Sequence, residues 1–374
     1  MAEDGWLFDA FQLAEVSQGR PLSTLAFALL RRMHLIAHFQ LSEARLARFL
    51  CAIEDGYPSN PYHCRTHAAD VLRTVHCMMT RGKVGKMLGG DQRVDLLAVY
   101  LSALIHDFEH KGVNNQYLIT TGDELALRYN DHSPMENHHI AAAFQLMLHD
   151  ETNFFTNTNS KVREVIRRYV IELVLATDMK QAGSLPTPPP LANMGNKGQG
   201  VMDDDLRLLT LQMVMKVSDL GHLAHAKDVH RRWVQLLEEE LFRQGDLEVA
   251  AGLPVSPLMD RTKAGVTRSQ AGFFSLVCLP QLQAFTTVFS GCQPMLDQAR
   301  ENNQMWLEEA RLQGEASPAP GLSGSPSRRY GPVVLPPMLS KADDGEEAAT
   351  APVTPAVVER AEGEEAGAAE GQRK

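Results

Sequence analysis

A chain of 374 residues with 44% hydrophobic and 22% charged side chains is long and apolar enough for a sizeable core, which excludes purely disordered and fibrous classes. The formal net charge of −10 argues against nucleic acid as a partner, because neutralising phosphates takes a basic face. Five cysteines (Cys51, Cys64, Cys77, Cys278, Cys292) with no Cys-x-x-Cys spacing, no opening signal peptide, no prenylation box and no run of about 18 apolar residues point to a soluble, cytoplasmic protein without direct membrane insertion.

Helical periodicity dominates from the N-terminus onward. Leu46, Phe49, Leu50 and Ile53 form one stripe, and Tyr57-Pro58-Ser59-Asn60-Pro61 then forces a turn, since each proline disfavours helix at the residue before it. His63 and His67 follow at i, i+4, the spacing of one helical face. Leu97, Leu101, Leu104 and Ile105 form a second stripe, and its apolar run leads directly into His106-Asp107-Phe108-Glu109-His110, again with an i, i+4 histidine pair. Ser133-Pro134-Met135-Glu136 reads as a capping box with proline at the first helical position, starting a helix through about Leu148. Val162, Val165, Ile166, Tyr169, Val170 and Leu173 mark another stripe. Gly183–Gly200 is a Pro/Gly-rich loop within one domain, and Asp203, Asp204 and Asp205 start a helix through roughly Val217. From Gln313 onward the composition shifts to Ala, Gly, Pro, Ser and Glu, which predicts a disordered tail over 313–374 after a domain of 1–312. The fold class is therefore all-α.

Eight of the fourteen histidines fall between His63 and His139. A lone i, i+4 pair is more often structural than ligating. Here, however, an apolar run delivers His106 and Asp107 to the end of a buried helix, and a second apolar run, Leu208–Met215, leads to Asp219. Buried carboxylates are costly without a cation, and imidazole with carboxylate is a donor set that zinc accepts. Jointly these features point to a buried metal site.

The ordered motifs Tyr62-His63-x-x-x-His67-Ala68-Ala69-Asp70-Val71, His106-Asp107-x-x-His110-x-Gly112-x-x-Asn115 and Glu136-Asn137-His138-His139 carry a family resemblance. The chain resembles the catalytic domain of class I cyclic-nucleotide phosphodiesterases, within the HD metal-dependent phosphohydrolases. The likeness runs from about Trp6 to Trp306 and takes in Gln18–Leu22, Thr177-Asp178-Met179, Phe242–Asp246 and Ser269–Phe273. Asp55-Gly56-Tyr57 followed by Asn60–His63 is most similar to the calmodulin-stimulated subgroup, although a basic amphipathic helix for calmodulin is absent, so this chain gives calmodulin no support as a partner. A homodimer is left open.

The resemblance implies hydrolysis of 3′,5′-cyclic nucleotides, cAMP, cGMP or both, to 5′-monophosphates. It implies that His67, His106, Asp107 and Asp219 hold zinc and that Asp107 bridges to a second ion, magnesium or manganese. It makes His63 the general acid, Glu136 the carboxylate that positions it, and His110 a histidine beside the catalytic water. Asn115, His138 and His139 become scaffolding. Gln270 would read the base and Phe273 would stack on it, with Leu237 opposite, Tyr62 and Met179 lining the pocket, and His222 tilting the reading toward dual specificity. From residues alone, Glu136 reads as a cap and Phe273 as core. Cys64 and Lys216 depart from the family's usual asparagine and histidine. Two other readings keep the fold: a non-catalytic cyclic-nucleotide-binding or scaffold homologue, which the intact ligand set opposes, and an HD phosphohydrolase of other nucleotides, which would have no use for Gln270 and Phe273.

Overall fold

The structure, a computed structural model, describes residues 5–89, 92–178 and 203–316, with side chains to residue 312. The chain divides into compact units after Pro318; the described residues belong to the first, and the second, Ala319–Lys374, lies outside them. Met179 and the expected loop 183–200 also lie outside the described residues.

Among the described residues every regular element is helical and no strand is found. Helix α1 (Ala10–Val16) is capped by Asp9, whose carboxylate accepts from the Phe11 N–H at 2.8 Å. Helix α2 (Pro21–Arg32) opens on proline, and α3 (Leu35–His38) is a single turn. Helix α4 (Glu43–Gly56) buries the stripe Leu46, Phe49, Leu50 and Ile53. The next helices, α5 (Arg65–Thr80), α6 (Val84–Leu88) and α7 (Gln92–Ile105), form the centre. Every side chain from His67 to Met79 and from Asp95 to Ile105 is buried, which marks α5 and α7 as helices wrapped on all sides.

After the short α8 (Asn115–Thr121) and α9 (Glu124–Arg128) come α10 (Pro134–Leu146), α11 (Ser160–Leu175) and α12 (Asp204–Asp219). Helix α7 packs against α5 and α11, and α12 packs against α5 and α11. A 3₁₀ turn at Gly221–Ala224 leads into the long α13 (Lys227–Ala250). Helix α14 (Val266–Phe273), a π turn at Phe274–Cys278 and α15 (Leu279–Val288) make one apolar stretch, followed by α16 (Gln293–Ala316), which continues four residues past the expected end of the folded part. By length and composition Val266–Val288 would suffice to cross a membrane. Its Phe274, Cys278, Leu282 and Phe285 are nonetheless part of the protein's own core.

Several expectations change. Ser133 begins α10 from a left-handed backbone (φ 42°) and makes no capping bond; its hydroxyl donates to Asp178 Oδ2 at 2.6 Å. The capping box therefore fails, because both its side chains are engaged elsewhere, Glu136 with Asn115. Helix α10 stops at Leu146 rather than Leu148, and α12 runs on to Asp219 rather than Val217. Val165 of the α11 stripe is exposed. Asp203 does cap α12, accepting from the Leu206 N–H at 2.8 Å.

Candidate metal centre

Neither histidine pair lies on one helical face. Helix α5 begins only at Arg65 because Cys64 is extended (φ −139°, ψ 174°), so His63 belongs to the preceding turn and His67 to the first turn of helix. Helix α7 ends at Ile105, and Glu109 at φ 60° turns the chain between His106 and His110. The arrangement still converges. The start of α5 meets the ends of α7 and α12, and the carbonyl ends of two helices favour a cation between them.

His67 Nε2 lies 3.3 Å from His106 Nε2 and 3.1 Å from Asp219 Oδ1, and His106 Nε2 lies 3.1 Å from Asp107 Oδ2. One donor atom from each of these four residues falls within 4.8 Å of the other three. His106 Nδ1 donates to the Ala103 carbonyl at 3.0 Å, which turns Nε2 toward the cluster. Asp107 Oδ2 is buried with no hydrogen-bond partner. The four groups thus present more lone pairs than protons, in the nitrogen–oxygen mixture that suits a borderline divalent ion. Burial opposes charge on each carboxylate, but the imidazoles prevail: His106 above all holds Asp107 well below the usual carboxylate range, and His106 with His67 lowers Asp219.

Beside this cluster, His63 is held by a carboxylate the sequence did not single out. Its Nδ1 lies 2.5 Å from Glu240 Oε1, while Glu240 Oε2 accepts from the backbone N–H of Tyr62 at 2.8 Å and of His63 at 3.0 Å. Burial alone would discharge the imidazole; Glu240, with Asp107 and Asp219 beyond it, overrides this and raises its pKa to about 9. Glu240 in turn falls to about 2 despite burial, because His63 favours its charge. The expected partner, Glu136, is not in that position. Asn115 Nδ2 donates to it at 2.9 Å, and burial, reinforced by Asp178 and Asp107, raises its pKa to about 7.

His110 stacks on His63 with ring centroids 4.0 Å apart and planes at 18°. Its Nδ1 accepts from the Gly112 N–H at 3.0 Å, so the ring is neutral with its proton on Nε2; burial and the His63 charge both push its pKa down. Asn115 Oδ1 accepts from Met135 N–H at 3.0 Å, His138 pairs with Glu109 at 2.8 Å, and His139 Nδ1 donates to the Phe108 carbonyl at 2.5 Å. These three tie the α7–α8 and α10 segments together around Asp107.

A cavity of about 350 Å³ opens over the cluster, with His63, Asp107, Asp219, Glu136 and Leu237 in its wall. Of the expected pocket residues that are described, Leu237 alone lines it. Gln270 is buried, donates to the Val266 carbonyl at 3.2 Å and leaves its Oε1 buried without a partner. Phe273 packs half-buried against the main core. Tyr62 lies under the cluster, its ring 4.6 Å from His67 and 5.5 Å from Trp233. His222 is buried with Nδ1 3.3 Å from His230 Nδ1, and His230 Nε2 accepts from Trp306 Nε1–H at 2.8 Å.

Sequence reasoning missed Glu240, which sits in the run Glu238-Glu239-Glu240 and reads as a solvated face. A signal was present: Leu237, Glu240, Leu241, Gln244 and Glu248 recur at helical spacing, and the last four polar or apolar members of that stripe sit beside or within buried positions.

Comparison with known proteins agrees with this geometry. Over 309 residues the chain is 39% identical to the human dual specificity calcium/calmodulin-dependent 3′,5′-cyclic nucleotide phosphodiesterase 1B, covering 80% of this chain and 55% of that protein. Over 310 residues it is 35% identical to 3′,5′-cyclic-AMP phosphodiesterase 4C of Rattus norvegicus, covering 81% and 57%. The chain thus spans about half the length of the curated relatives it matches. The crystal structure of the phosphodiesterase domain of the RhoPDE fusion protein from the choanoflagellate Salpingoeca rosetta superposes with a TM-score of 0.77 at 27% identity, over 84% of this chain and 98% of that one. The family model for 3′5′-cyclic nucleotide phosphodiesterase matches residues 62–299, a span that holds every donor of the cluster, and the chain belongs to that family.

Proposed function

We propose that this protein hydrolyses 3′,5′-cyclic nucleotides, both cAMP and cGMP, to 5′-nucleoside monophosphates in the cytoplasm. The observation that carries this reading is the convergence of His67, His106, Asp107 and Asp219 next to a Glu240-held His63, with Asp107, Asp219 and His63 facing one cavity. The donor set fits zinc at these four residues, with magnesium or manganese sharing Asp107. When bound, such ions would supply Lewis-acid polarisation of the phosphodiester and a water of lowered pKa.

The chain's own residues account for the rest. His63 acts as general acid. Its Nδ1–H is committed to Glu240, so the proton it gives to the leaving 3′ oxygen is the one on Nε2, and the raised pKa keeps that proton in place at neutral pH. Neutral His110, stacked on His63, offers an Nε2–H donor beside the same space. Glu136, close to half-protonated near neutrality, can accept or give a proton at the cavity wall. Base recognition by Gln270 and dual specificity through His222 follow from the resemblance alone, since both side chains are buried away from the cavity wall. Assays of cAMP, cGMP and noncyclic nucleotides, with and without chelator, test the proposal. Chelator-sensitive hydrolysis of the cyclic substrates is expected; protein that holds stoichiometric metal yet cleaves neither would overturn it.

A further inference from the structure

Lys216 stands on α12 three residues before Asp219. It is 7% exposed, and its Nζ is buried with no hydrogen-bond partner among the described residues. An ammonium taken out of water without acceptors is costly, so its presence needs a reason. Two ionisable groups act on it, Asp219 and Asp178, and both are carboxylates that favour its charge against the burial that lowers its pKa. Asp178 is also bound by the Ser133 hydroxyl, and Asp219 Oδ1 is 3.1 Å from His67 Nε2. Lys216 and Asp219 thus stand i, i+3 on one face of α12, with a buried ammonium one turn from a carboxylate of the cluster and no bond between them.

We infer that Lys216 is a fixed counter-cation of the centre, which weakens the hold of His67, His106, Asp107 and Asp219 on a divalent ion and makes that ion exchangeable. The inference rests on reading the cluster as a metal site. A unit positive charge buried on the same helix repels an incoming divalent ion in a medium that screens poorly, and a neutral side chain there would not. It also offsets part of the carboxylate charge when no ion is bound, which lowers the cost of leaving the site open.

Competition between the full chain and a chromophoric chelator for Zn²⁺ tests this without reference to activity. Lys216→Met and Lys216→Gln, two neutral replacements of different polarity, are expected to bind Zn²⁺ about tenfold more tightly and to release it more slowly, as removal of a nearby like charge requires. Lys216→Arg keeps the charge and should stay within about threefold of the parent. If the parent binds Zn²⁺ and loses it in His67→Ala, yet both neutral variants are folded and bind no tighter, the Lys216 inference is wrong while the metal site stands. If the parent binds no Zn²⁺ at all, both fall together.

Discussion

Glu240 on α13 grips His63 by three hydrogen bonds at once, one to the ring and two to the adjoining backbone. The carboxylate thus sets the orientation, the tautomer and the charge of the imidazole. Replacing it by Gln keeps the shape and removes the charge. Glu240→Gln is expected to lower kcat by about 10–100-fold with metal content unchanged. Since Glu240 is what raises the His63 pKa against burial, the alkaline limb of the rate profile should move to lower pH, by on the order of one unit. An unmoved limb would mean that the pair is structural only.

The division between His63 and the four clustered donors gives a second expectation. His67→Ala or Asp219→Ala should lose bound metal and activity together, because each removes one of four converging donors. His63→Ala should keep its metal and lose turnover by about 10²–10⁴-fold. Metal analysis beside steady-state kinetics checks both. Loss of metal from the His63 variant would show that the division is wrong.

His230 carries a pH signature away from the metal centre. Burial, with His225 and Arg231 adding to it, lowers its pKa to about 4, and the Trp306 N–H bond occupies Nε2. Between about pH 6.5 and 4 the unfolded chain binds a proton that the folded chain refuses. Stability should therefore fall as the pH drops through that window, by up to about 3 kcal/mol. Denaturant titrations at several pH values measure it. His230→Gln, which retains an acceptor for Trp306, is expected to flatten this part of the profile; an identical profile would remove the assignment.

Gly245 on α13 has no room for a side chain: a Cβ there would lie 1.8 Å from the Met259 carbonyl oxygen. The obstacle is backbone, so relief requires the segment after α13 to move. Gly245→Ala is expected to cost about 1–3 kcal/mol in unfolding free energy, with Gly272→Ala, in open space and without a positive φ, as the comparison.

Much of this architecture was legible in the sequence. The α4 and α7 stripes are buried as their periodicity implies, and Asp203 caps the helix it was expected to start. The donors His106 and Asp219 could be found because an apolar run precedes each, which fixes where a helix end must deliver them. What failed was local geometry: the i, i+4 spacing of His63/His67 is shared by a turn entering a helix, and Ser133-x-x-Glu136 spends its side chains on Asp178 and Asn115. Glu240 was invisible for a different reason. It meets His63 across 177 residues of chain, and no local pattern reports a contact of that range.

The late start of α5 at Arg65 has a dynamic consequence. His67 is embedded in a helix buried on every side, whereas His63 hangs on a turn secured to α13 through Glu240. Local opening of that turn withdraws the proton donor and leaves the four ligating groups undisturbed. Amide hydrogen exchange at Tyr62 and His63, whose N–H groups both end on Glu240, therefore reads out how much of the population is armed for proton transfer at any moment.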